Sequence, residues 1–228
     1  LFDRTSKYFY GESNSVFFDR DNINEFNLAT MSFGQRFTIT PIQLITAISA
    51  VANEGVLMEP RIVKEIRNPN TGATTVVEPK SVRQVISKET ADSLMNMLQS
   101  VVTDGTGKYA QVPGYSVGGK TGTSEPLYDT DNGYVASMIA MSPTVNTQVV
   151  VLVIVYNPKG ASHEGSVVAG PVAKQILSEV LPYVGVASNN TAVSNTSTNI
   201  KTITLPDVRN KSIEEAKSAG LYHEIGQE

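Results

Sequence analysis

Apolar residues recur at helical spacing in two stretches of the chain. In the first, Thr40 suits the N-cap of a helix, a proline follows it, and Gly55 suits its end. This helix is apolar on most sides, so we expect it to be well buried. The second stretch predicts a helix from Ser87 to about Val102, which an Asp-Gly pair stops.

Three further apolar stretches predict strands at 115–123, 134–141 and 148–156. The connections between them are too short for a parallel crossover, so the strands should pair antiparallel. The last strand is apolar at nearly every position, which predicts cover on both faces. A helix over about 168–181 would supply one cover, with Pro171 in its first turn and Pro182 at its end.

Weaker signals complete the pattern. Stretches 61–66 and 74–77 flank a polar turn and predict a hairpin. Residues 1–37 show little periodicity and read as loops with short strands. Residues 1–184 together predict an α+β fold in which helices cover an antiparallel sheet.

The composition changes after residue 184. Residues 185–201 are mostly Ser, Thr and Asn, which predicts a flexible linker. In 202–228, a short strand and a turn precede a capping box at Ser212, whose helix Gly220 would end. We expect this segment to be the first part of a small α+β module.

Charge and composition limit the expected partners and cofactors of the chain. The formal net charge is -4 without a basic cluster, so nucleic acid is not an expected partner. The chain has no cysteine and opens on Leu1 without a signal peptide, and we expect it to be a piece of a longer polypeptide. His163 and His223 are isolated in sequence, while Asp129 and Asp131 fit a solvated turn. We therefore expect neither a metal site nor a cofactor.

The triplet Lys120-Thr121-Gly122, followed by Thr123, is the main candidate for chemistry. On an edge strand, free backbone groups could bind an extended peptide, and Gly119 and Gly122 would let it approach closely. Side chains alternate, so Lys120 and Gly122 would face one way and both threonines the other. The lysine offers a positive charge, hydroxyls can bind a carboxylate, and the Thr123 amide can help to hold an oxyanion. The alternative is a solvent-facing edge strand whose lysine and glycines have no role in binding or catalysis.

The context of this triplet resembles one family. Stretch 101–123, with its Gly-Thr-Gly loop at 105–107 and a later Pro-Gly pair, is similar to the class B penicillin-binding proteins. So are Phe33-Gly34-Gln35, the Thr-Pro-x-Gln-Leu run at 40–44 and the segment 165–172. The resemblance covers about 30–184 and implies the penicillin-binding transpeptidase (serine β-lactamase-like) fold, incomplete in this chain.

The resemblance also implies a D,D-transpeptidase. Such enzymes cross-link peptidoglycan stem peptides ending in D-Ala-D-Ala through an acyl-serine intermediate, and β-lactam antibiotics acylate the same serine. The family works on the extracytoplasmic face of the bacterial cell membrane, anchored by an N-terminal helix that this chain does not contain.

The family's site residues carry over to the lysine motif. Lys120 would assist proton movement and electrostatics, while Thr121 and Thr123 would bind the substrate carboxylate. The Thr123 amide would complete the oxyanion hole, and Gly122 would allow close approach. The substrate would also meet residues on either side of the motif, Gly119, Tyr128 and Tyr134.

Two of the family's three motifs are missing. No Ser-x-x-Lys occurs, and Ser-x-Asn occurs only at Ser188 and Ser197, inside the predicted linker. We therefore expect the nucleophile and its base in the N-terminal remainder of the same protein, and predict that this chain alone is inactive. The tail from residue 204 resembles the first part of a PASTA module, which often follows such transpeptidases.

Two other functions are open alternatives. A class A β-lactamase would need a Glu-x-x-x-Asn before Lys120, and none occurs. A non-catalytic β-lactam-binding, muropeptide-binding or sensor protein of the same fold could use the tail module. The Gly-Gln and Thr-Pro-x-Gln-Leu segments fit the transpeptidases better.

Overall fold

The computed structural model describes residues 20–35, 37–125 and 133–189. The helices in these ranges are α1 Glu25–Met31, α2 Pro41–Ala52, α3 Lys88–Thr103, α4 Gly165–Val168 and α5 Gly170–Tyr183. The strands are β1 Val56–Met58, β2 Glu65–Arg67, β3 Thr74–Val76, β4 Ser81–Gln84, β5 Gly118–Ser124, β6 Val135–Ser142 and β7 Val149–Tyr156. Short 3₁₀ turns lie at Arg20–Asn22 and Lys108–Ala110.

A three-stranded sheet in the order β5-β6-β7 forms the centre. Both pairs are antiparallel and keep one register along their whole length, without a bulge. This confirms the antiparallel prediction. The strands lie where the apolar pattern placed them, except that β5 begins at Gly118 rather than at Tyr115.

Helices lie on both faces of this sheet. On one face, Leu177 and Leu181 of α5 are fully buried against Met138 and Ala140 of β6. On the other face, α2 contacts β7 and α3 contacts β5. A Cβ atom at Gly118 would lie 3.4 Å from the Leu98 Cβ of α3. The predicted cover of β7 is confirmed in part, because residues 149–155 are half-buried rather than buried and Tyr156 is exposed.

Side-chain caps set the starts of the two long predicted helices. The Thr40 hydroxyl accepts a hydrogen bond from the Gln43 N–H, and the Gln43 side chain accepts one from the Thr40 N–H. This reciprocal pair is a capping box. The Ser87 hydroxyl accepts from the Thr90 N–H at 3.1 Å and starts α3 in the same way. Both predicted starts are confirmed.

The expectation of a well-buried α2 is wrong for the described part of the chain. Only Ala50 of this helix is buried, and the other positions are half-buried or exposed. An open groove of about 510 Å³ runs beside it, lined by Ile42, Ile45 and Val150 among others. An apolar composition indicates that the surface of a helix should be buried, but it does not indicate which segment packs against that surface.

Two short strand pairs lie outside the central sheet. Strands β2 and β3 form the predicted hairpin, although it begins at Glu65 rather than at Arg61. Strands β1 and β4 also pair antiparallel, which was not predicted.

The interpretation of 1–37 as loops and strands is wrong over α1, whose N-cap is Asn24. Helix α5 starts with Pro171 in its first turn, as predicted, but runs to Tyr183 and includes Pro182.

The chain divides into two units, Leu1–Thr191 and Ala192–Glu228. The second unit lies outside the described residues, as does most of the predicted linker. The linker at 185–201 and the PASTA-like module at 202–228 therefore stay predictions. In the ranges that the structure describes, no helix combines the length and apolar character that a membrane span requires.

Candidate functional site

The Lys120-Thr121-Gly122-Thr123 motif occupies the second half of β5. This strand pairs with β6 alone among the described strands, so it forms an edge of the described sheet, the position that the sequence reasoning assumed. The unbroken register keeps Thr121 and Thr123 on one face and Lys120 and Gly122 on the other. An edge strand presents unpaired N–H and C=O groups, to which an extended chain can add as a further strand.

Strand β5 is buried at its start and becomes exposed toward its end. Gly118 and Gly119 are buried, Lys120 is exposed, and the positions after it are half-buried or exposed. A Cβ atom at Gly119 would lie 2.6 Å from the Ile139 carbonyl oxygen and 2.7 Å from the Met138 Cε. Close packing of β5 on β6 thus requires glycine at 119, a reason different from the peptide approach that the sequence suggested.

The Lys120 side chain lies along the open half of the strand. Its Nζ donates a hydrogen bond to the Thr121 carbonyl oxygen at 2.9 Å. The salt bridges found among the described residues do not involve Lys120. Its positive charge is therefore available to an anionic ligand at the strand edge.

Each threonine hydroxyl of the motif has a neighbour from outside β5. The Thr121 Oγ1 lies 3.3 Å from the Thr106 Oγ1, in the loop that follows α3. The Thr123 Oγ1 accepts a hydrogen bond from the Gly165 N–H at 3.1 Å. A hydroxyl that accepts keeps its own hydrogen for donation, so Thr123 can still donate to a ligand.

Gly122 and Gly165 mark the point where α4 lies on the sheet. A Cβ atom at Gly165 would lie 2.3 Å from the carbonyl oxygens of both Gly122 and Ser137. At Gly122 a Cβ atom would lie 2.5 Å from the Ser137 Oγ, which donates to the Gly122 carbonyl oxygen at 3.4 Å. The two glycines let three backbone segments meet beside the Thr123 hydroxyl.

An aromatic pair borders the open half of β5. The rings of Tyr134 and His163 stack with centroids 3.8 Å apart and planes 14° apart. His163 thus packs on a ring, and it lies two residues before Gly165. Tyr128, Asp129 and Asp131 lie outside the described residues, so the predicted contact of Tyr128 with substrate stays a prediction.

The motif lies on an open surface. Two cavities in the described part of the chain, of about 280 and 510 Å³, have no residue of 119–123 in their linings. Within the described ranges, no group of three or more His, Asp or Glu side chains is placed to hold a metal ion. One cation, two hydroxyls and an unpaired strand edge can together bind a peptide that carries a carboxylate.

Sequence reasoning assigned no role to Thr106, Ser137 and Gly165, which contact the motif. Thr106 lies in the Gly-Thr-Gly loop, and Gly165 begins the segment 165–172. Both segments carried the family resemblance, so the signal was present. The partners of these residues are remote in sequence, and only the fold brings them together.

Comparison with known proteins shows the family of this chain. Residues 3–178 match the family model described as the penicillin binding protein transpeptidase domain. Stage V sporulation protein D of Bacillus subtilis is 37% identical over 214 residues, which cover 91% of this chain and 33% of that protein.

Solved structures agree with this match. The transpeptidase domain of penicillin-binding protein 3 from Burkholderia pseudomallei, in its apo form, is 36% identical with a TM-score of 0.63, over 74% of this chain and 50% of that one. Penicillin-binding protein 3 from Mycobacterium tuberculosis, complexed with ampicillin, is 26% identical with a TM-score of 0.70, over 81% and 44%. The chain thus spans about a third of the sporulation protein's length. It belongs to the penicillin-binding protein transpeptidase family and has the fold of that family.

Proposed function

We propose that this chain supplies one wall of the active site of a peptidoglycan D,D-transpeptidase. Such an enzyme transfers a stem peptide ending in D-Ala-D-Ala to its serine, releases D-Ala, and passes the acyl group to an amine of a second strand. The observation that carries the proposal is the open edge of β5, with Lys120 and two threonine hydroxyls, in a chain of this family.

In this proposal the stem peptide lies along the unpaired side of β5. Thr121 and Thr123 donate their hydroxyl hydrogens to the terminal carboxylate of the peptide. The Lys120 ammonium stabilises that carboxylate and assists proton transfer at the serine. Gly122 keeps the exposed half of the strand free of an obstructing side chain, and Tyr128 and Tyr134 border the peptide.

The Thr123 amide is the proposed oxyanion donor. The Gly122 carbonyl oxygen accepts from the Ser137 hydroxyl at 3.4 Å, and Gly122 is the register partner of Ser137, so we infer that the Gly122 backbone groups point toward β6. Backbone groups of successive residues point to opposite edges of a strand, and the Thr123 N–H therefore points to the unpaired edge. A preorganised donor at that edge stabilises the negative charge that develops on the attacked carbonyl oxygen.

The nucleophilic serine and its lysine base belong, in this proposal, to the N-terminal remainder of the same protein. The chain by itself is inactive, because no Ser-x-x-Lys occurs in it. The protein acts in cell-wall synthesis, in division or sporulation, on the extracytoplasmic face of the membrane. The relative named for stage V of sporulation supports this assignment.

Covalent labelling by a fluorescent penicillin, followed by intact mass, tests the proposal. Two proteins are compared: the chain alone, and the same chain extended upstream to include a Ser-x-x-Lys segment, here named the extended protein. We expect the extended protein to gain the mass of one penicillin and to release D-Ala from a peptide ending in D-Ala-D-Ala. The chain alone should gain no mass.

Each other outcome has a definite meaning. Acylation of the chain alone would contradict its predicted inactivity and place a nucleophile within these residues. An extended protein that binds penicillin reversibly without a mass change would favour a β-lactam-binding or sensor protein. An extended protein that neither binds nor reacts would refute the proposed function.

A further inference from the structure

Thr106 lies where the loop after α3 meets the open half of β5. Its Oγ1 is 3.3 Å from the Thr121 Oγ1, and the two residues are 15 positions apart in the sequence. The side chain of Thr106 is exposed, and that of Thr121 is half-buried. The contact therefore joins the loop to the motif at its solvent-facing side.

Hydrogen bonds fix the loop on the C-terminal end of α3. The Gly107 N–H donates to the Val101 carbonyl oxygen at 2.9 Å. The Gln111 Nε2 donates to the carbonyl oxygens of Val102 at 2.9 Å and Thr103 at 3.1 Å. Carbonyls at a helix C-terminus have no partner within the helix, and here the loop itself supplies the partners.

Steric packing restricts the loop further. Cβ atoms at Gly105 and Gly107 would lie 2.9 and 3.1 Å from the Val101 carbonyl oxygen. A side chain at Gly105 would require the loop to move, and one at Gly107 would require its neighbours to give by a few tenths of an ångström. Thr106 is the one residue between them, so its position relative to β5 is set by the end of α3.

We propose that Thr106 is a positioning residue for carboxylate recognition. It donates its hydroxyl hydrogen to the Thr121 Oγ1, and the Thr121 hydrogen is then free to donate to the substrate carboxylate. A hydroxyl has one hydrogen and two acceptor lone pairs, so this direction gives Thr121 a ready donor. The inference rests on the proposed function, in which Thr121 binds that carboxylate.

Acylation of the extended protein by benzylpenicillin and by its methyl ester tests this role. Thr106→Val keeps the shape of the side chain and removes the hydroxyl. We expect its second-order rate constant to fall about tenfold with the free acid. The rate constant with the ester should not change, because the ester has no carboxylate. Thr106→Ser, which keeps the hydroxyl, should retain the wild-type ratio of the two rate constants.

A double-mutant cycle tests whether Thr106 acts through Thr121. Thr121→Val should lower the acid rate constant, and adding Thr106→Val should lower it no further. Thr103→Val is the matched control. Its hydroxyl donates to the Asp104 Oδ2 at 2.8 Å and to the Ser100 carbonyl oxygen at 3.4 Å, both at the end of α3, and its acid-to-ester ratio should be that of the wild type. If Thr106→Val does not fold, Thr106→Ala takes its place with the same expected ratio.

The outcomes separate this inference from the proposed function. A wild-type protein that neither probe acylates would refute the proposed function, and this inference with it. A reactive wild type with an unchanged acid-to-ester ratio in Thr106→Val would overturn this inference alone. Equal falls with both probes would overturn it as well, because they indicate a structural role only.

Discussion

The central sheet and the two outlying strand pairs are all antiparallel, but their surroundings differ. Residues 138–142 of β6 are buried, and Met138 and Met141 have no exposed surface. Every residue of β3 and β4 is exposed. Packing holds the sheet that carries the lysine motif, whereas the exposed strands β3 and β4 depend mainly on backbone hydrogen bonds. Substitutions in the sheet should therefore reach the site, and those in the outer pairs should not.

The largest expected effect is that of Leu177→Ala, under the central sheet. Leu177 is fully buried, and the cavity left by such a substitution costs about 2–5 kcal/mol. Urea unfolding of the extended protein measures the change. Ile66→Ala in the β2-β3 hairpin, where the side chain is 58% exposed, should cost about 0.5 kcal/mol or less. Similar losses in the free energy of unfolding of the two variants would contradict the claim that packing stabilises the central sheet more than the hairpin.

Gly119→Ala should have the next largest effect. The new methyl group would meet the Ile139 carbonyl oxygen at 2.6 Å, so β5 must shift away from β6. Overpacking of this kind costs about 1–3 kcal/mol, and the shift should also slow acylation by penicillin. Gly160→Ala is the control, because a Cβ atom there has nothing within 4 Å. Wild-type stability of Gly119→Ala would show that the sheet is not closely packed at β5.

The smallest effect is expected at Lys88, on the surface at the start of α3. Its Nζ contacts Glu54 at 2.8 Å and Asp92 at 3.2 Å, and these hydrogen bonds, Glu54 first, raise the pKa of Lys88. A raised folded-state pKa gives a contribution that is fully present at neutral pH and is lost as the pH rises through that pKa. Because solvent screens ion pairs between exposed side chains, these pairs contribute little to the free energy of unfolding.

We therefore expect Lys88→Met to lower the urea midpoint only slightly at pH 7 in low salt, and less in high salt. A clear fall in the midpoint at pH 7 that salt abolishes would show that surface charge contributes more than packing suggests.

Much of the central region could be predicted from the sequence. Hydrophobic periodicity placed α2, α3 and the three central strands because each is long enough to show a period. Capping chemistry at Thr40 and Ser87 fixed the helix starts. The short connections settled the antiparallel order, because a parallel crossover needs more residues.

The rest depends on contacts that local patterns do not contain. Strands β1 and β4 have three and four residues, and they pair Val56 with Gln84 across two other strands. Helix α1 has seven residues and exposes Phe26 and Leu28, so it has no clear apolar stripe. At the site, the sequence identified β5 but not the partners Thr106 and Gly165, which come from separate segments.

The most direct measurement of the central claim is the rate of covalent labelling of the extended protein by penicillin, with and without Lys120. Lys120→Ala removes the one positive charge of the motif, and we expect labelling to slow by about a hundredfold or more. Lys64→Ala removes another exposed lysine, outside the motif, and should label at the wild-type rate. Labelling of Lys120→Ala at the wild-type rate would contradict the claim that β5 forms a wall of the active site.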